Sequence, residues 1–321
     1  MEIILKNLMA KKIKDRNKVI KRGRSKGFKN ASRKKQVLER HQIELRKLIN
    51  APRVAHQKFE KLFYDQFHDL EYQRLYMADA LKSSLISKTV NVYKFQNWIR
   101  CVSYQYSNEP LSSRGSVNSI GGRFNIGSDI NDDHFTAFNA LYIAEDYLTS
   151  MFEKFGVKNE GDLENSLELC FSKIESFVHV TVEGELHNVL DLDDHRSLTG
   201  FVKILSKVKI SHEILQRRKS QGLKGGETIS NVSELLKSIY DEDWRYSPQV
   251  LDLPSNPQIF GQLAYRSGIE AILYTSVKNK KKCLAIFPKN LGEKSFVRIS
   301  GAYPATIFKP TLNHESKYDL L

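Results

Sequence analysis

Residues 121–155, GGRFNIGSDINDDHFTAFNALYIAEDYLTSMFEKF, place a doubled glycine and an arginine ahead of a turn-rich insert, a short apolar strand and a helix with acidic residues. In ALYIA the two-residue period of a strand sets Leu141 and Ile143 on one face and Tyr142 on the other, so Tyr142 can face a site while its neighbours fill a core. The helix expected over 146–155 carries Leu148, Phe152 and Phe155 as its apolar stripe, with Glu153 at the margin. Gly121 and Gly122 allow close approach of backbone to a ligand, and would aim Arg123 into a cleft where its guanidinium could fork onto phosphate or carboxylate oxygens. Each residue alone also fits a plainer role: a loop arginine beside a hairpin glycine pair, a core tyrosine, a surface glutamate.

The same texture continues outward. YKFQNWIRCVSY, from residue 93, has the aromatic and β-branched content of a strand, and further strands are expected over 141–144, 177–182, 189–192, 269–274, 283–287 and 296–299. Helices are expected over 146–155, 195–206, 232–240 and 258–267, the last stopped by Gly268. The two kinds interleave without a steady βαβ rhythm, which predicts an α+β fold with a mixed sheet. Residues 34–87 have helical periodicity, with Pro52 dividing two helices and Phe59, Leu62, Phe63, Phe67, Leu70, Tyr76 and Met77 on the apolar side of the second. The expected organisation is a basic helical arm over 1–50, a helical segment over 51–90, a catalytic domain over 91–310 and a C-terminal tail over 311–321. QRRKSQGLKGGETISN, 216–231, reads as a mobile surface loop.

Charge is distributed unevenly. Residues 1–50 hold 17 Lys or Arg against 4 Asp or Glu, which is the whole formal net charge of +13. The arm is either an electrostatic foot on nucleic acid, anionic lipid or an acidic partner, or a solvated basic helix without a ligand. Only Phe28 interrupts its densest run, so base stacking has little support. Cys101, Cys170 and Cys283 are far apart and odd in number, which suits a reducing compartment and neither a disulfide framework nor a zinc knuckle. The first residues do not have the pattern of a signal peptide, and no run approaches a membrane span, so a cytoplasmic protein is expected.

Phosphate-loop, dinucleotide-fold, zinc-protease and serine-hydrolase motifs are absent. HNVLDLDDH, 187–195, has metal-ligating residue types, but its apolar alternation fits a buried strand ending in a cap, and no metal is expected.

Taken in order, several elements resemble the RES domain, a family of bacterial toxins named for an arginine, a glutamate and a serine. NWIRCVS supplies Arg100, Gly121 to Asn125 supply the G-G-R-[WF]-N block, and Leu141 to Ala144 supply L-Y-x-A. Glu153 stands eleven residues beyond Tyr142, Val189 to Leu192 match a V-L-D-L strand, and RSGIEAILYTSVKN places the serine at Ser276. The resemblance covers roughly 93–300. The stretch 127–138 is longer than the family's link, 217–231 looks inserted, and the basic arm lies outside the toxin core.

The resemblance implies an ADP-ribosyltransferase-like fold and NAD as a substrate, with no metal. It implies a catalytic set of Glu153, Arg123, Tyr142 and Ser276, and NAD binding by Arg100, Gly122, Arg123, Asn125, Tyr142 and Ser276. Arg100 and Arg123 would clamp the diphosphate, Tyr142 would position the nicotinamide riboside, and Ser276 would either bind substrate or orient Glu153. The expected reaction is cleavage of the nicotinamide–ribose bond by water or phosphate, as an NAD glycohydrolase or NAD phosphorylase that depletes cellular NAD. ADP-ribosylation of a protein or nucleic acid and a noncatalytic nucleic-acid-binding role are the alternatives. Expected partners are NAD, an antitoxin or regulatory protein, nucleic acid through residues 1–50, and further copies of the chain in a homo-oligomer.

Overall fold

Eight strands form one mixed sheet in the order β4-β5-β6-β2-β1-β3-β7-β8. The strands are β1 (Tyr93–Ser103), β2 (Leu141–Ala144), β3 (Phe177–Leu186), β4 (Val189–Asp191), β5 (Ala271–Thr275), β6 (Lys282–Ile286), β7 (Phe296–Ile299) and β8 (Thr311–Asn313). This computed structural model describes residues 53–130, 135–157, 176–223 and 228–321. The eight helices among them are α1 (Arg53–Tyr76), α2 (Ala78–Ile86), α3 (Tyr147–Phe155), α4 (Thr199–Leu205), α5 (His212–Ser220), α6 (Val232–Ile239), α7 (Tyr246–Val250) and α8 (Asn256–Arg266). The fold is therefore α+β. Only β4 and β5 run parallel; every other pairing is antiparallel. The basic arm and Cys170 lie outside the described residues.

Alternation along the strands fills two cores. On β5, Ile272 and Tyr274 join the cluster that holds the buried residues of α1, α2 and α8, whereas Ala271 and Leu273 face the opposite cluster. β6 divides likewise, with Cys283 and Ala285 on the first side and Leu284 and Ile286 on the second. Both faces of the central strands are thus buried, which is why these segments read as nearly continuous apolar runs.

Several expectations change in three dimensions. The stretch expected as the second helix is itself broken at Met77, between α1 and α2, while the division expected at Pro52 lies outside the described residues; Tyr76, expected on the apolar side, is 90% exposed at the end of α1. Leu62, Phe63, Phe67 and Leu70 of α1 share one buried cluster with Phe260 of α8 and Ile272 of β5. Residue 90 pairs with the sheet edge, since Val90 and Val189 exchange backbone hydrogen bonds of 2.8 and 3.1 Å. The last residues also belong to the fold: β8 pairs with β7, and Leu320 is fully buried.

The expected surface loop over 216–231 begins as helix α5, and its Arg218 is 2% exposed with Nη1 donating to Gln66 Oε1 of α1 at 2.7 Å. A buried guanidinium pays its desolvation only if it finds such acceptors, and those lie 152 residues away in the chain. The helix expected over 195–206 is shorter, because residues 193–198 form turns in which Asp191 and Asp194 accept from the backbone N–H groups of Asp193 and Arg196. Among the described residues no helix is long and apolar enough to cross a membrane.

Candidate active site

The turn from Gly121 to Asn125 is built by backbone contact too close for side chains. Gly121 has φ +83°, and a Cβ on Gly122 would stand 2.6 Å from the Tyr142 hydroxyl and 2.7 Å from Asn125 Oδ1. Gly261 of α8 lets the turn dock, since a Cβ there would stand 2.1 Å from the Phe124 carbonyl oxygen. Gln258, three residues into α8 from its Ser255 cap, sends Nε2 to the carbonyls of Ile120, Gly122 and Asn125 at 2.7, 3.2 and 3.1 Å. Its Oε1 accepts from Ser255 N at 3.0 Å, so one buried amide both caps α8 and fastens the turn to it.

This turn and its neighbours open onto a cleft of about 330 Å³ lined by residues of β1, β2, α3 and the segment before α7. Charged side chains on its wall are Arg100, Arg123, Lys154, Arg245 and Lys278 against a single carboxylate, Glu153. Five cations facing one acid make the cleft an attractor for anions.

Arg123 is 8% exposed, and its Nη1 donates to the carbonyls of Ile239 and Asp241 at 2.8 and 2.9 Å, at the C-terminal end of α6. A cation is favoured there by the unpaired carbonyls of the helix end. Nε and Nη2 make no hydrogen bond among the described residues, so the guanidinium is anchored by one nitrogen with two left for a ligand.

Tyr142 stands, as expected, opposite Leu141 and Ile143, which are buried in the other core. Its hydroxyl donates to Asn125 Oδ1 at 2.8 Å and accepts from Phe124 N at 3.0 Å, and burial pushes its pKa well up. The hydroxyl is therefore neutral and fully engaged, leaving the ring as the part that a ligand can meet.

Glu153 projects from α3, which starts at Asp146, whose Oδ1 accepts from Thr149 N at 2.8 Å, and stops at Gly156 in the left-handed region with φ +71°. The buried face of α3 is Thr149, Ser150, Met151 and Phe152, while Leu148, expected in the apolar stripe, is exposed. Ser276 follows β5; its Oγ accepts from Lys278 N at 3.1 Å and donates to Glu153 Oε1 at 2.5 Å. Sequence separation of 123 residues is thereby closed to one short, charge-assisted bond. Glu153 Oε2 has no hydrogen-bond partner among the described residues.

Three residues expected at the substrate have their polar groups engaged by the protein itself. Arg100 has its pKa lowered to about 10 by burial, and its Nε, Nη1 and Nη2 donate to the carbonyls of Pro110, Tyr142 and Ser112 at 3.2, 2.9 and 3.0 Å. It ties β1, β2 and the loop after β1 together, which takes three of its five N–H groups away from a ligand. Asn125 is 0% exposed; it accepts from Gly122 N and Tyr142 and donates to the carbonyls of Ser116 and Phe138 at 2.8 and 3.1 Å. Ser276 is also 0% exposed and stands behind Glu153, outside the cleft wall. Asn125 thus braces the turn and Tyr142, and Ser276 braces Glu153.

Trp244 and Arg245 are cleft residues that the sequence reading missed. The Arg245 guanidinium carbon lies 4.6 Å from the centroid of the Trp244 ring, and that of Arg123 lies 5.7 Å from it. Both distances are within cation–π range. The available signal was a Trp-Arg dipeptide a few residues after the helix expected over 232–240, in the acidic stretch DEDWR.

The fold and cleft thus define an α+β protein with a cationic pocket around one serine-tethered carboxylate. No protein-family model matches the chain, and neither does any curated protein. Among solved structures, a chain of the crystal structure of the M. tuberculosis MbcT–MbcA toxin–antitoxin complex is similar at a TM-score of 0.40 and 16% identity, covering 75% of this chain and 96% of that one.

Proposed function

We propose that the cleft cleaves the nicotinamide–ribose bond of NAD, with water or inorganic phosphate as acceptor, and that the protein is a toxin acting by NAD depletion and held in check by an antitoxin or regulatory protein. The observation that carries this reading is the convergence of Arg123, Tyr142, Glu153 and the Ser276 tether on one cationic cleft, in the order in which the sequence resembles the RES family.

The chemistry follows from charge. As the bond from C1′ breaks, its electron pair returns to the nicotinamide ring nitrogen, so nicotinamide leaves neutral and needs no general acid. Positive charge then develops on the ribose, as in glycoside cleavage. Glu153 stabilises that charge or holds a ribose hydroxyl, and its fixed orientation avoids reorganisation during the reaction. Ser276 supplies the fixing bond. Arg123, through Nε and Nη2, meets the diphosphate, and the Tyr142 ring positions the nicotinamide riboside. An acceptor oxygen attacks C1′ and gives up its proton to solvent, yielding ADP-ribose with water or its 1-phosphate with phosphate.

The test is NMR of NAD with the purified protein and with Glu153→Gln, each with and without inorganic phosphate. Free nicotinamide from the wild type, at least about 100-fold less from the variant, supports the reading, and the second product identifies the acceptor. Equal release by both proteins, or none by the wild type in either buffer, rejects it.

A further inference from the structure

We infer that Arg245, presented on the indole of Trp244, is a substrate-binding residue that completes with Arg123 a two-arginine site for the diphosphate of a nucleotide. This rests on the reading of the cleft as a nucleotide site, and it reassigns the second arginine of the clamp from Arg100 to a residue outside the family resemblance.

Four observations carry it. Arg100 has three of its nitrogens committed to backbone carbonyls, so it is a poor second fork. Arg245 lines the same cleft, is exposed, and its side chain makes no hydrogen bond or ion pair among the described residues. Trp244 is 1% exposed, and it lies within cation–π range of both guanidinium groups, which are no more than about 10 Å apart, the two ring distances laid end to end. Arg123 is itself held by Nη1 alone, so each arginine keeps donors for an oxyanion.

Electrostatics favour an anion between them. Arg245 is open to solvent as a residue, but partial desolvation of its guanidinium at the cleft wall, and then the like charge of Arg123, lower its pKa, so the pair is unfavourable when the cleft holds only water. A diphosphate relieves both costs, because it replaces lost hydration with charge-assisted hydrogen bonds and neutralises the repulsion. An indole behind the guanidinium limits its rotamers, so less entropy is lost on binding than for a free surface arginine.

The experiment is calorimetric titration with ADP, AMP and adenosine of the full chain, of Arg245→Gln and of Arg245→Lys. The expected result is about 10- to 100-fold weaker ADP binding by Arg245→Gln, from loss of a charged hydrogen-bonding partner. AMP should lose less, adenosine should bind alike to all three proteins, and Arg245→Lys, which keeps charge without the fork, should fall between. ADP binding by Arg245→Gln within twofold of wild type overturns the assignment, as does equal loss for adenosine and ADP, or a wild type that fails to bind ADP at millimolar concentration. Should Arg245→Gln lower the melting temperature, the Arg245→Lys comparison carries the test: a lysine that binds ADP as tightly as arginine refutes the fork. Nicotinamide release is not the readout. A wild type that discriminates ADP from adenosine through Arg245 but leaves NAD intact would keep this site and discard the proposed reaction.

Discussion

Replacing Ser276 with alanine removes one hydrogen bond of 2.5 Å from the carboxylate of Glu153 and removes no cleft-lining side chain. A hydrogen bond to a charged group contributes about 1.5–3 kcal/mol, and this one is buried on the serine side. If its function is to hold Glu153 at the angle the ribose cation requires, the loss should appear in kcat as a fall of about 10- to 150-fold, with KM for NAD nearly constant. Stability should fall too, by roughly 1–3 kcal/mol, because Lys278 N also loses its acceptor Oγ. The assay is steady-state nicotinamide release at a temperature where circular dichroism shows the variant folded. A double-mutant cycle with Glu153→Gln then separates action through Glu153 from any independent effect. In the double variant the alanine should cost almost nothing further, since the group it positions is already gone. Additive losses, or a Ser276→Ala enzyme within twofold of wild-type kcat, would refute the reasoning.

Gly122→Ala should destabilise the protein by about 1–3 kcal/mol and abolish turnover together, because the new methyl falls on the Tyr142 hydroxyl and Asn125 Oδ1; a variant with wild-type melting and activity would show that the turn has room. Arg100→Lys should lower the melting temperature far more than it raises KM, since an ammonium cannot reach three separated carbonyls; a large KM effect at unchanged stability would return Arg100 to the substrate. The Asp241 carboxyl is pushed up to about 6 by burial, so the native state holds more protons than the unfolded chain between about pH 4 and pH 6. Stability should therefore fall as pH rises through that window, and Asp241→Asn should flatten the slope and gain as much as roughly 3 kcal/mol at pH 7. Thermal melts of both proteins from pH 4 to pH 7 check it, and parallel curves would count against a buried, protonated Asp241.

Local order was legible in the chain because its causes are local. Alternation of Leu141, Tyr142 and Ile143 assigns their faces from neighbouring side chains alone, and 296–299 was bounded as a strand to the residue. The Asp146 cap and Gly156 stop define the helix that carries Glu153 from residues within one turn of its ends. The glycines at 121 and 122 marked a place where backbone comes close to something, although not that this something is Tyr142 and Asn125.

Tertiary structure decided where each polar donor is spent. Nothing near Arg100 indicates that its acceptors are Pro110, Ser112 and Tyr142, and nothing near Arg123 indicates that it rests on carbonyls 116 and 118 residues away. Residues 216–220 of α5 read as loop because their sequence is polar, and only burial against Gln66 of α1 explains Arg218. Trp244 and Arg245 belong to the cleft for the same reason: a guanidinium or an indole has no periodic signature. Its role is set by what distant segments leave within reach, and that is a property of the packed chain, while faces, caps and turns are properties of neighbouring residues.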